Sequence, residues 1–157
     1  MIATISTTFS VILSTGSNVV SKTFAVGFSN GTPQNIIQVY SNSANFQPTS
    51  GKTINDGLWH SVLVTYDGTT LNIYVDGRLD NTAANWNAGS SSTIASTLNT
   101  IDNSGNYLGQ YVDGSSYRLI GKLKNVLFYD YAINNSYALA NSYQAAGAIL
   151  YTSGNFL

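Results

Sequence analysis

The sequence predicts an all-β protein, an antiparallel β-sandwich, on three observations. Between Asn55 and Asp80 two runs alternate strictly: Val62, Val64 and Tyr66 oppose Ser61, Leu63 and Thr65, and Leu71, Ile73 and Val75 oppose Asn72 and Tyr74. Successive side chains of a strand point to opposite faces, so each run reads as a half-buried strand. Asp56-Gly57, Asp67-Gly68 and Asp76-Gly77 bound the two runs. Glycine tolerates positive φ and aspartate bonds the backbone just ahead of it, so Asp-Gly between alternating runs is a strong hairpin signal. Other short apolar runs, separated by Asn, Ser and Gly, repeat the pattern along the chain.

Taken in order, Phe9 to Leu13 is expected as a strand, followed by a Ser-Thr-Gly-Ser-Asn loop. Lys22 to Ser29 alternates, Asn30-Gly31 turns the chain, and Ile36 to Tyr40 is the next strand. Ser41 to Lys52 reads as a polar loop. The central hairpin comes next, and then a long Asn-, Ser- and Thr-rich segment from Asn81 to Thr100 that holds Trp86. Ile133, Tyr137 and Ala140 fall at helical spacing, which predicts one short helix over 134–144 with Asn134 or Asn135 as N-cap. Ala148 to Tyr151 is expected as a last strand.

Composition narrows the function. The chain has 157 residues, enough for a single domain over 1–157 with a sizeable core. Only 8% of residues are charged and the net charge is −1. Six scattered Lys and Arg residues do not make the clustered cationic surface that phosphates require, so nucleic acid is not an expected partner. No apolar stretch approaches membrane-spanning length. The absence of cysteine excludes disulfides and thiolate metal sites. His60 is the only histidine, which excludes sites needing two imidazoles. All seven acidic residues are Asp, four of them in or beside hairpin turns, where turn chemistry explains them.

The central hairpin resembles a known family. Trp59-His60-x-Val62-x-Val64-Thr65-Tyr66-Asp67-Gly68, then Leu71-x-Ile73-Tyr74-Val75-Asp76-Gly77, is similar to the central hairpin of laminin-G-like, concanavalin A-like jelly-roll domains. Asn106 to Gly109 resembles a short strand of that family, and Leu119 to Tyr129 resembles its terminal strand, with Gly121, Leu123, Val126 and Tyr129 matching and Lys124 where the family has Asp. The resemblance runs from about Thr23 to Tyr143, and the absence of the family's usual opening implies either a minimal version of the domain or a domain cut from a longer chain. It implies a concanavalin A-like jelly roll and a superfamily of lectins, adhesion modules, structural domains and glycosidases. The glycosidases typically carry catalytic Glu on one strand, and this chain has no Glu.

A non-catalytic, lectin-like or adhesion module is therefore expected, extracellular, on a cell surface or on a virion. The alternative is a structural module of a virion, fibre or surface assembly. Sugar binding needs an aromatic platform for the apolar sugar face and planar polar groups for hydroxyls. Trp86, Tyr107, Tyr111, Asp113, Tyr117 and Arg118 are the candidates, with a glycan or glycoprotein as partner and self-association as the structural alternative. Calcium takes hard oxygen ligands in loops, and Asp102, Asn103, Asn106 and Asp113 are its candidate ligands. Asp102 and Asp113 are the one carboxylate pair to test for hydrolysis. Trp59, Phe24, Phe28, Tyr66, Phe128 and Tyr129 are expected in the core or sheet framework, and His60 in a structural role, with no nucleophile or orienting group suggested around it.

Overall fold

The computed structural model describes residues 2–4, 10–16, 23–29, 36–41, 49–54, 56–67, 70–83, 105–113, 117–129 and 131–133. These residues contain ten strands and no helix: β1 (Ile2–Thr4), β2 (Ser10–Gly16), β3 (Thr23–Phe28), β4 (Ile36–Ser41), β5 (Thr49–Thr53), β6 (Val62–Tyr66), β7 (Leu71–Val75), β8 (Arg78–Ala83), β9 (Asn106–Leu108) and β10 (Gly121–Leu123). A five-stranded antiparallel sheet, in the order β5-β4-β3-β2-β9, faces a three-stranded antiparallel sheet, β6-β7-β8, and β1 pairs with β10.

Period-two alternation builds the core between the two sheets. Val26, Phe28, Ile37 and Val39 point inward from β3 and β4, and meet Leu71, Ile73 and Val75 of β7. Ile54, just after β5, is fully buried among them. Each such side chain stabilises the fold by about 1.5–3 kcal/mol through apolar burial. In β2 the pairing steps from Val11 opposite Gly27 to Leu13 opposite Val26, so Ile12 is the extra residue of a β-bulge. The bulge lets both Ile12 and Leu13 reach the core.

The turns explain the register. Val75 pairs with Arg78, leaving Asp76 and Gly77 at φ 51° and 75°. Positive φ at both central positions is the I′ geometry that matches the twist of a two-residue hairpin. The Asp67 carboxylate accepts from the Thr70 amide at 2.7 Å, and Asp56 accepts from the Leu58 amide at 2.8 Å.

Several expectations need correction. The central unit has three strands, because Arg78–Ala83 continues from the Asp76-Gly77 turn as β8. The polar stretch ending at Lys52 holds strand β5, which pairs with β4. That pairing is irregular, and the Ser50 hydroxyl fills the gap by accepting from the Ile37 amide at 2.8 Å. Of the expected strand at 119–129 only Gly121–Leu123 pairs. Trp59, Phe128 and Tyr129 do not belong to the core: they are 43%, 68% and 36% exposed. The expected helix over 134–144 and the strand at 148–151 lie outside the described residues.

The bulge brings two backbones into unusual proximity. A Cβ on Gly27 would stand 2.5 Å from the Ser10 carbonyl oxygen, whereas one on Gly51 would meet only the Asp80 carboxylate at 3.8 Å. Gly27→Ala is therefore expected to destabilise the protein by about 1–3 kcal/mol in urea unfolding, and Gly51→Ala by no more than about 0.5 kcal/mol. Equal effects at the two sites would contradict this packing.

Candidate functional site

The outer face of the five-stranded sheet gathers most of the described aromatic candidates. The registers align Tyr107, Ser14, Ala25 and Tyr40 in one row across β9, β2, β3 and β4. Val11, Gly27, Gln38 and Thr49 form the next row. Small residues in the middle of both rows leave a shallow trough between tyrosines. The chain after β9 covers it. Gly109, at φ 77°, redirects the backbone, its amide bonds the Ile12 carbonyl, and its carbonyl accepts from the Leu119 amide, each at 2.8 Å. The Ser14 hydroxyl donates to the Gln110 carbonyl, and the Val11 amide donates to the Tyr117 carbonyl, both at 2.8 Å. This fastening seats Tyr111 and Val112 over Val11 and Ala25 as a second apolar cluster, flanked by Tyr40 and Tyr107.

Three tyrosines meet edge to face there. The Tyr111 ring lies 6.2 Å from Tyr40 and 5.7 Å from Tyr117, the T-shaped arrangement that aromatic quadrupoles favour. Burial first, then the neighbouring Tyr111 hydroxyl with its hydrogen bond, push the Tyr40 hydroxyl up to about 12. Tyr111 is buried, whereas Tyr117 is 51% exposed. Tyr117 also sits at φ 53°. For a bulky residue that conformation costs about 1–3 kcal/mol, and it persists only where the surroundings enforce it.

The structure thus brings Tyr107, Tyr111 and Tyr117 together. Arg118 follows Tyr117 in the chain and Asp113 lies in the same loop; both are exposed. Trp86, Asp102 and Asn103 lie outside the described residues. Asn106 is exposed on β9, where its side-chain oxygen accepts from the Thr15 hydroxyl at 2.6 Å. Among the described residues no group of three or more His, Cys, Asp or Glu side chains is arranged to hold a metal ion. Tyr40 escaped the sequence reading because its partners lie some 70 residues away; its outward position on β4 was the available signal.

A polar cluster lies on the opposite side of the sandwich. The buried His60 ring places Nδ1 3.0 Å from an Asp76 oxygen and Nε2 2.9 Å from Asp56. The expectation that no orienting group surrounds His60 is therefore corrected: two carboxylates hold it. The Ser61 amide also donates to Asp76 at 3.1 Å, and the Lys52 ammonium pairs with Asp76. Burial pulls the Asp76 carboxyl upward, but Lys52, His60 and the Ser61 amide outweigh it and hold it below its ordinary value. The hydrogen bond from His60, followed by that from the Leu58 amide, lowers Asp56. A third feature is an apolar cleft of about 830 Å³ where the sandwich opens beside β6, lined by Leu13, Phe24, Val62, Val64 and Phe128 among others. Among the described residues its lining holds no carboxylate and no imidazole.

Two titrations follow. In a tyrosinate absorbance titration one group is expected near pH 12, and it should be missing from Tyr40→Phe. Because Tyr40 titrates higher folded than unfolded, its contribution to stability is complete below about pH 10 and is lost as the pH rises toward 12. The two lowered carboxyls have the opposite sign. Their contribution is complete above the unfolded carboxyl range, near pH 4, and is lost as acid takes the pH through their folded values. Urea midpoints should fall below about pH 4, and Asp76→Asn should cost about 1–2 kcal/mol at pH 7; an acid profile unchanged in that variant would contradict the assignment.

Known proteins place the chain. No curated protein sequence matches it at a significant level. Among solved structures, it is similar to an S-layer domain-containing protein from Clostridium thermocellum, with 16% identity and a TM-score of 0.43 over 87% of this chain and 64% of that one. The chain thus spans less than two thirds of that solved fragment, residues 221-444 of its protein. Residues 2–136 match the laminin G family described as the concanavalin A-like lectin/glucanases superfamily. That match takes in the β6-β7-β8 hairpins and both facing sheets, and the chain belongs to this family of concanavalin A-like, laminin-G-like β-sandwiches.

Proposed function

We propose that the chain is a non-catalytic recognition module, at a cell surface or outside the cell, that binds a glycan through the rim formed by β9 and the loop after it. One observation carries this reading: Tyr117 is held at φ 53° and stays half exposed, with the buried Tyr111 ring packed T-shaped against it. A strained backbone that presents an aromatic face has no evident value to the core. An aromatic face with polar groups beside it suits a sugar, whose CH face stacks while its hydroxyls take hydrogen bonds. Asp113 and Arg118 supply those polar groups, and Trp86 is a further platform.

A second reading, a module of a surface assembly, is favoured by a different feature. Leu127, Phe128 and Tyr131 are 63%, 68% and 63% exposed beside the apolar cleft. Contiguous exposed apolar surface often marks a protein interface.

A glycan-array screen of the purified chain, with its mass read by light scattering, separates the two. Binding is expected, and Tyr117→Gly, which suits positive φ, should weaken it at least about tenfold while the protein stays folded. Trp86→Ala should weaken it as well. Binding that survives Tyr117→Gly would remove the rim from this reading. No binding, with a stable oligomer instead, would favour the assembly. Running the screen with and without calcium tests whether Asp102, Asn103, Asn106 and Asp113 hold the ion.

A further inference from the structure

The His60 cluster has a property that the glycan reading does not use. Both ring nitrogens lie within hydrogen-bond distance of carboxylates on different segments: Nδ1 of Asp76 in the β7–β8 turn, and Nε2 of Asp56 in the turn before β6. An ionised carboxylate only accepts hydrogen bonds, and a neutral imidazole donates from only one nitrogen. Both contacts are therefore hydrogen bonds only when the ring carries two protons. With one proton, a ring lone pair faces a carboxylate oxygen. Among the described residues the charged groups facing this ring are Asp56 and Asp76, with Lys52 of β5 reaching it through Asp76.

The two carboxylates are not held alike. Asp76 also accepts from the Ser61 amide and from Lys52, whereas the Asp56 side chain is 49% exposed. Asp56 is therefore the partner free to swing into water when the ring loses a proton. The Asp56 oxygen that faces His60 is the same one that accepts from the Leu58 amide. Leu58 and Trp59 are 64% and 43% exposed on that turn.

We propose that His60 is a proton-dependent latch: the doubly protonated ring ties the Asp56–Trp59 turn to the β7–β8 turn, and loss of one proton releases it with its exposed Leu58 and Trp59. The latch is closed below the titration midpoint of the ring and open above it. At the acid end, protonation of Asp56 removes its charge and weakens the latch.

The chain has a single histidine, so its ring nitrogens give one assignable pair of ¹⁵N resonances. These are followed against pH beside amide-exchange protection factors for Leu58 and, as a core control, Ile73. As the ring deprotonates, Leu58 protection is expected to fall about tenfold and Ile73 protection to stay constant. Because His60 is buried and its substitution risks the fold itself, the informative variant is Asp56→Asn at an exposed position. It should move the His60 midpoint to lower pH and flatten the Leu58 response. Constant Leu58 protection through the His60 titration, or a midpoint unmoved by Asp56→Asn, would overturn the latch.

Discussion

The two sheets are joined along one side by the carboxylate of Asp76. Its backbone makes the I′ turn that sets the β7–β8 register, with its amide bonded to the Ser61 carbonyl at 2.8 Å. Its side chain reaches back to the Ser61 amide and His60 at the start of β6, and across to Lys52 of β5. One residue thus fixes a hairpin within the small sheet and ties that sheet to the edge of the large one. Neighbouring contacts continue the seam: Asp80 accepts from the Gly51 and Lys52 amides, and Asn81 donates to the Thr49 carbonyl. Strand β5, Thr-Ser-Gly-Lys-Thr, has almost no apolar surface to hold it. This polar seam does for β5 what burial does for β3 and β7.

A seam on one side leaves the other to different forces. Beside β6 the described residues enclose an apolar cleft, with Val62 and Val64 on its wall. The outer face of the large sheet is closed differently again, by backbone hydrogen bonds along β2 that press Tyr111 into a trough of small side chains. The trough exists because Ser14, Ala25 and Gly27 are small, and Gly27 is small because the β2 bulge brings the Ser10 carbonyl against it. A packing irregularity in one strand therefore leads, through a glycine and a seated tyrosine, to the placement of the exposed Tyr117 ring.

These forces also explain what the sequence disclosed. The β6–β7 hairpin was legible because half-buried strands alternate and Asp-Gly encodes the I′ turn. β5 and β8 were not, because Thr-Ser-Gly-Lys-Thr and Arg-Leu-Asp-Asn-Thr-Ala are held by side-chain hydrogen bonds and pairing, which leave no apolar periodicity. Trp59 and Phe128 were assigned to the framework on residue type, yet apolar atoms make up much of any protein surface. At the candidate site, Tyr107, Tyr111 and Tyr117 could be grouped because they are close in the chain. Tyr40 and the His60 clasp depend on strand register and long-range pairing, which a single sequence does not reveal.

The scarcity of charge gives these placements a common logic. With only 8% of residues charged, ionic groups are too few to serve both solubility and structure. Four of them, Lys52, Asp56, Asp76 and Asp80, are used around His60 and the β5 seam. Solubility is left to Asn, Ser and Thr. The charged residues nearest Tyr117 in the chain, Asp113 and Arg118, are exposed and of opposite sign, which argues against a strong local field steering an ionic ligand. In the proposed glycan reading, recognition there would rest on ring faces, hydroxyls and amides. Those groups suit a neutral, hydroxylated partner better than a phosphate or an acidic chain, so the same economy of charge that argued against nucleic acid from composition also shapes the site.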